Sequence, residues 1–222
     1  MIRSILCYGD SNTWGRAVVP RPDERYGPHE RWTGVVRAAL GPDWLVIEEG
    51  MPGRTTVHDD PIDGAERNGK TYLLPCLLSH RPLDVVVIML GTNDLKARFH
   101  MSAWEAAEGV GTLVKIVKSA GVGRDASVPA IIMVTPPPIL AHLPNHAESY
   151  AGGHKKSLEL ASRYRAVAER EGVHCFDAGA VIASSPYDGF HLEPEAHETL
   201  GRAVAAEIGK LTRCPGRGQA NR

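Results

Sequence analysis

Val85-Val86-Val87-Ile88-Met89-Leu90 is apolar without a break. A strand with one wet face alternates apolar and polar residues. An unbroken run instead reads as a strand covered on both faces, the place of a central strand in a parallel sheet. Asp84 to Leu90 is one such strand. Ile2 to Tyr8, Trp44 to Glu48, Ala130 to Thr135 and His174 to Asp177 are further short apolar runs. Between them apolar residues recur at helical spacing: Trp32, Val35, Val36, Ala39 and Leu40, then Trp104, Ala107, Val110, Val114 and Val117. The last set, Leu200, Val204, Ile208 and Leu211, has Pro194 in its first turn. Alternation of strands and helices predicts a right-handed α/β chain, a three-layer α/β/α sandwich around a flavodoxin-like five-stranded parallel sheet. The 222 residues suit one domain over 1–212, with 213–222 expected to be a flexible tail because it carries no apolar pattern.

Sheets of this kind bind ligands where the carboxyl ends of their strands open. Tyr8-Gly9-Asp10-Ser11-Asn12-Thr13-Trp14-Gly15 follows the first strand, and its glycines permit a sharp turn and close approach of another molecule. Alone it also reads as a turn with an N-cap serine. After the second strand comes Glu49-Gly50-Met51-Pro52-Gly53-Arg54-Thr55-Thr56, where Gly53 either makes a turn or presents its N–H toward a neighbouring strand end. After the third comes Gly91-Thr92-Asn93-Asp94, where Asn93 either caps the next segment or aims its amide at the same point. Ahead of the last helix stands Asp188-Gly189-Phe190-His191, an acid and a base three residues apart. A lone Asp–His pair is often no more than a solvated contact. Taken together, the blocks supply a nucleophile, a base and a carboxylate to orient it. No GxSxG is present, and the serine follows the first strand, so the nucleophile elbow of the α/β-hydrolases is not the arrangement here.

Charge and composition narrow the partners. A formal net charge of -1 argues against nucleic acid or an anionic membrane, which need a basic surface, and leaves a small molecule as the expected partner. The four cysteines, Cys7, Cys76, Cys175 and Cys214, form no CxxC pair, and Cys7 and Cys175 are expected to be buried in strands. The first strand starts too early to leave room for a signal peptide, and the longest apolar run is too short to cross a bilayer, so the expected location is cytoplasmic. Among the ten histidines, His191 and His197 could join Asp188 as metal ligands. No HExxH or CxxC pattern supports that, and neither metal nor cofactor is expected.

The four blocks resemble those of the SGNH hydrolases, or GDSL-type esterases. The superfamily is named for a serine, a glycine, an asparagine and a histidine, here Ser11, Gly53, Asn93 and His191. The resemblance spans residues 5–197. It implies that Ser11 attacks an ester carbonyl, that His191 takes and returns the proton, and that Asp188 holds the imidazole tautomer. The N–H groups of Ser11 and Gly53 and the amide of Asn93 would form the oxyanion hole. Asp10 would organise the turn. Asn12 stands where many members have leucine, which would make that wall of the substrate site more polar. Trp14 is either a further wall or a core residue.

Arg54-Thr55-Thr56, Gly91-Thr92-Asn93-Asp94-Leu95-Lys96 and Val134-Thr135-Pro136-Pro137-Pro138 look like a narrower group, the bacterial aryl esterases and acyltransferases. Members of that group commonly self-associate, so a homo-oligomer is expected. Ile139, Leu140, Leu143 and Tyr150, apolar in the long loop Pro136 to Gly153, are expected to pack on a neighbouring subunit. No apolar stretch suited to a long acyl chain stands out, which points to short acyl esters of aryl or small alcohols, with acyl transfer to alcohols as an added capacity. Thioesterase, lysophospholipase and carbohydrate acetylesterase use the same machinery and stay open, as does a binding module that has lost catalysis.

Overall fold

A computed structural model describes residues 2–19 and 24–213. The expected tail beyond Arg213, with Cys214, lies outside the described residues. The strands are β1 (Arg3–Gly9), β2 (Trp44–Gly50), β3 (Val85–Met89), β4 (Ala130–Thr135) and β5 (His174–Asp177). The helices are α1 (Ser11–Trp14), α2 (Trp32–Leu40), α3 (Gly69–His80), α4 (Ala103–Ser119), α5 (Gly153–Glu171) and α6 (Pro194–Arg213). All neighbouring strands pair in parallel, in the order β2-β1-β3-β4-β5. The chain therefore leaves β1 toward one edge and returns past it to β3, and the crevice at this switch point opens at the carboxyl end of β1.

Each strand feeds two cores, because successive side chains face opposite ways. Leu6, Tyr8, Val86 and Ile88 pack with residues of α3, α4 and α5. Ile5, Cys7, Val85, Val87 and Met89 pack with residues of α2 and α6. The unbroken apolar run of β3 is thus divided between two helical layers, and all five of its residues are buried.

Two helices carry little pattern in the sequence. α3 has Pro75 in its interior and starts from Asn68, whose side chain accepts from Lys70 N. α5 is mostly polar and buries only a narrow stripe, including Leu160, Tyr164 and Val167, before ending at left-handed Gly172. Two residues assigned to apolar faces are solvent-facing instead: Trp104, 56% exposed in the first turn of α4, and Ala39 near the end of α2. The true start of α4 is polar, a capping box between Ser102 and Glu105. Cys7 is buried as expected, whereas Cys175 is only partly so.

His197 shows how the α2/α6 layer is locked. No side chain of its own segment caps α2. Trp32 N–H, at the start of α2, donates instead to His197 Nδ1 from α6 at 3.2 Å. The ring is fully buried and packs edge-on to Tyr26 at 5.2 Å. Burial, aided by the charges of His191 and Arg31, pulls its pKa down to about 3. In the unfolded chain the imidazole titrates near ~6.5. Its contribution to stability is therefore intact above that pH and is lost as the pH falls toward 3, with a slope approaching about 1.4 kcal/mol per pH unit. Urea unfolding of the wild type and of His197→Asn between pH 5 and 7.5 should show the stability gap between the two proteins closing as the solution is acidified.

Candidate active site

The register brings the ends of three strands level: Gly9 pairs with Gly50 on one side and Met89 on the other. The loops bearing Ser11, Gly53 and Asn93 therefore leave the sheet side by side. The turn after β1 is tight, since a Cβ on Gly9 would lie 2.0 Å from Thr13 Oγ1. Asp10, not Ser11, is the N-cap of α1: its carboxylate accepts from Asn12 N at 2.9 Å. That leaves the Ser11 hydroxyl free for another partner.

The partner is His191. Its Nε2 lies 2.8 Å from Ser11 Oγ, and its Nδ1 lies 2.7 Å from Asp188 Oδ2. The other Asp188 oxygen accepts from the N–H groups of Phe190 and His191. Burial works to raise the Asp188 carboxyl. The hydrogen bond and charge of His191, with those two N–H groups, outweigh it and hold the carboxyl below its usual range. An ionised Asp188 requires a proton on Nδ1, so Nε2 is the ring atom able to accept a proton from Ser11.

Ser11, Gly53, Asn93 and His191 line one open cleft of about 540 Å³. Gly53 sits at φ 78°, a conformation that costs glycine nothing. Asn93 is 5% exposed. Its Oδ1 accepts from Tyr150 OH at 3.2 Å, which turns its Nδ2 toward Arg54 O at 3.2 Å and, less closely, Asp10 Oδ2 at 3.4 Å. The second amide hydrogen is only loosely held. Burial lifts the Asp10 carboxyl to about 6, against the pull of Asn12 N–H, His191 and Arg54.

The two residues assigned to substrate binding lie elsewhere. Asn12 is buried, and its side-chain amide donates to Phe190 O at 3.0 Å, so it ties α1 to the histidine loop rather than facing the cleft. Trp14 lies beneath the Arg25 guanidinium, 4.8 Å from its ring centre, and is not among the cleft residues. The aromatic wall comes instead from Tyr150 and Phe190, whose rings are 5.0 Å apart, with Phe190 4.5 Å from the His191 ring. Ile139, Leu143 and Tyr150 are buried within the chain itself. Leu140 is half-buried, and of these four loop residues Tyr150 lines the cleft.

The cleft is also lined by charged side chains: Arg16, Asp63, Arg67, Lys96 and Arg98. Lys96 and Arg98 are tied to Asp60 and Asp63. Arg67 and Tyr150 carry no periodic signal in the sequence, and only the folded chain brings them to Ser11. The metal alternative is redistributed as well. His197 Nδ1 is taken by Trp32, and among the described residues the one cluster whose ligand atoms converge is Glu49, Cys76 and His80, outside the cleft.

Asp94 fixes the second loop to the third. Its carboxylate accepts from Thr56 N at 3.0 Å and from the Thr56 hydroxyl. Both residues are wholly buried, and burial raises the Asp94 carboxyl.

With the geometry in place, likeness to known proteins is informative. Residues 7–199 match the family described as GDSL-like Lipase/Acylhydrolase. A carbohydrate acetylesterase from Sinorhizobium meliloti is 43% identical with a TM-score of 0.88, over 94% of this chain and 99% of that one. An aryl esterase from M. smegmatis is likewise 43% identical, with a TM-score of 0.89 over 94% and 99% of the two chains. A second Sinorhizobium meliloti structure, a carbohydrate acetylesterase family member, is 37% identical with a TM-score of 0.88 over 95% and 99%. No curated protein matches the chain.

Thr56→Val keeps the shape of residue 56 and leaves the buried Asp94 carboxylate short of one donor. It should cost ~1–3 kcal/mol of unfolding free energy at pH 7, measured by urea titration.

Proposed function

Since the chain belongs to the GDSL-like lipase/acylhydrolase family and is an esterase, we propose that it hydrolyses short-chain acyl esters of aryl or small alcohols through an acyl-enzyme on Ser11. The observation that carries this reading is the continuous hydrogen-bonded chain from Asp188 through His191 to Ser11, at 2.7 and 2.8 Å. Ser11 Oγ attacks the carbonyl carbon while His191 Nε2 takes its proton. The tetrahedral oxyanion lies against the N–H groups of Ser11 and Gly53 and the loosely held hydrogen of Asn93. His191 then gives its proton to the departing alcohol. Water, activated by the same imidazole, releases the acid. An alcohol in the place of that water would receive the acyl group instead.

The boundaries of the cleft support a short acyl group. Among the described residues the cleft is lined by the rings of Tyr150 and Phe190 and by charged side chains, with no long apolar stretch beside Ser11. The same charged lining favours a second reading, an acetylesterase for sugar esters, because hydroxyl-rich alcohols pair with Asp and Arg side chains. The 43% identical carbohydrate acetylesterase agrees with it.

Ser11→Ala should abolish hydrolysis of para-nitrophenyl acetate and labelling by a fluorophosphonate while the protein stays folded by circular dichroism. Asp188→Asn should lower kcat by ~10³ to 10⁴-fold, because an amide favours the wrong imidazole tautomer. A folded Ser11→Ala protein that turns over normally would refute the mechanism. Across nitrophenyl esters, acetate and butyrate should be cleaved far faster than esters of twelve carbons. Acetylated sugars tested beside them would separate the two readings of the alcohol.

A further inference from the structure

Arg67 ends a short 3-10 turn (Ala65–Arg67) between β2 and α3, and its side chain reaches back to the loop that bears Gly53. Nη1 donates to Pro52 O at 2.8 Å. That carbonyl belongs to the same peptide group as the Gly53 N–H. The peptide is trans, so its carbonyl and its N–H point in opposite directions. A cation on the oxygen thus fixes where the N–H points. It also draws electron density toward the oxygen, which makes the N–H a stronger donor.

The local backbone makes this control necessary. Met51 O accepts from Arg54 N at 3.1 Å, with Pro52 and Gly53 at the central positions and Gly53 at φ 78°. This is the signature of a type II turn. Type I and type II turns differ by a flip of the central peptide, which here is Pro52–Gly53 itself. Glycine accepts either form, so the turn alone does not hold the N–H toward Ser11. Arg67 does so from two sides. Its carbonyl accepts from Thr55 N at 2.9 Å just after the turn, and its guanidinium grips the turn's centre. Its Nε donates to Asp63 O at 3.3 Å. The nearest carboxylate, Glu66, is 3.8 Å away and 65% exposed, too loose a pair to neutralise it.

We infer that Arg67 is a positioning residue of the esterase reaction, locking and polarising the Pro52–Gly53 peptide so that the Gly53 N–H meets the developing oxyanion. The inference rests on the reading of Gly53 as an oxyanion donor. Because charge on the substrate oxygen develops only toward the transition state, the effect falls on kcat and not on KM.

Arg67→Met and Arg67→Lys are compared with the wild type and with Asn93→Ala, using para-nitrophenyl acetate and an arylboronic acid. The boronic acid forms a tetrahedral adduct on Ser11 with an oxygen at the oxyanion position. Arg67→Met should lose roughly 10- to 100-fold in kcat, less than the ~10² to 10³-fold cost of deleting a donor outright. Its KM should stay within about twofold of wild type, and its boronic acid affinity should fall in parallel with kcat/KM. Arg67→Lys, which keeps a cation within reach of the Pro52 carbonyl, should recover most of the loss. A kcat in Arg67→Met within twofold of wild type, beside a large loss in Asn93→Ala, overturns the role of Arg67 and leaves the oxyanion hole standing. A change confined to KM overturns it too, because Arg67 would then bind ground-state substrate. So does a loss that Lys does not rescue and that accompanies a lowered urea midpoint, which marks a purely structural role. If Asn93→Ala and Arg67→Met both leave kcat unchanged, the oxyanion reading itself fails.

Discussion

The guanidinium of Arg54 is the tie on which the site depends. It is 2% exposed, and its Nη1 donates both to Gly9 O, at 2.8 Å, and to Glu49 O. Those carbonyls end β1 and are next to last in β2. The Arg54 carbonyl in turn receives Asn93 from beyond β3. One residue thus joins the three loops that carry Ser11, Gly53 and Asn93. The cation lies 4.1 Å from the Tyr8 ring centre and 5.6 Å from that of Tyr72, so aromatic faces replace part of the water it has lost. Charge-assisted bonds to strand-end carbonyls are stronger than neutral ones.

Three carboxylates stand around this tie, and their surroundings divide the work. Asp188 is held in its ionised form by His191 and two backbone N–H groups. Asp10 is fully buried and lifted to about 6, because the Asn12 N–H and the charges of His191 and Arg54 do not offset desolvation. Asp94 is buried on Thr56 and holds one loop against another. The same residue type bonds an imidazole in one position, caps a four-residue helix in the second and fastens a scaffold in the third.

The loop from Pro136 to Gly153 also turns out to serve the site. Its apolar residues fold inward: Tyr150 reaches Asn93, and Phe190 packs on Tyr150. The cleft is therefore lined by both aromatic rings and charged side chains. These lining residues come from segments far apart in the chain.

Much of this is legible in the sequence alone. The unbroken run of β3, the other strand runs and the helical spacing of α2, α4 and α6 determined a doubly wound parallel sheet, because burial on both faces leaves no polar position in the central strand. The blocks at Ser11, Gly53, Asn93 and Asp188-x-x-His191 marked the candidate site, because each must follow a strand or precede the last helix to reach a common edge, and Ser11, Gly53, Asn93 and His191 do line one cleft. α3 and α5 stayed hidden, since Pro75 in one and a largely polar surface in the other mask their narrow buried stripes. Only the tertiary structure decided that Asp10 caps α1, that Asn12 bonds Phe190 O and Trp14 stacks on Arg25, and that Arg54, Arg67 and Tyr150 bond to Gly9, Pro52 and Asn93. Their contacts are single hydrogen bonds and ring contacts, many of them between distant segments, which leave no periodicity in a sequence. Where a guanidinium or hydroxyl ends up depends on which carbonyl or amide the folded chain brings within its reach.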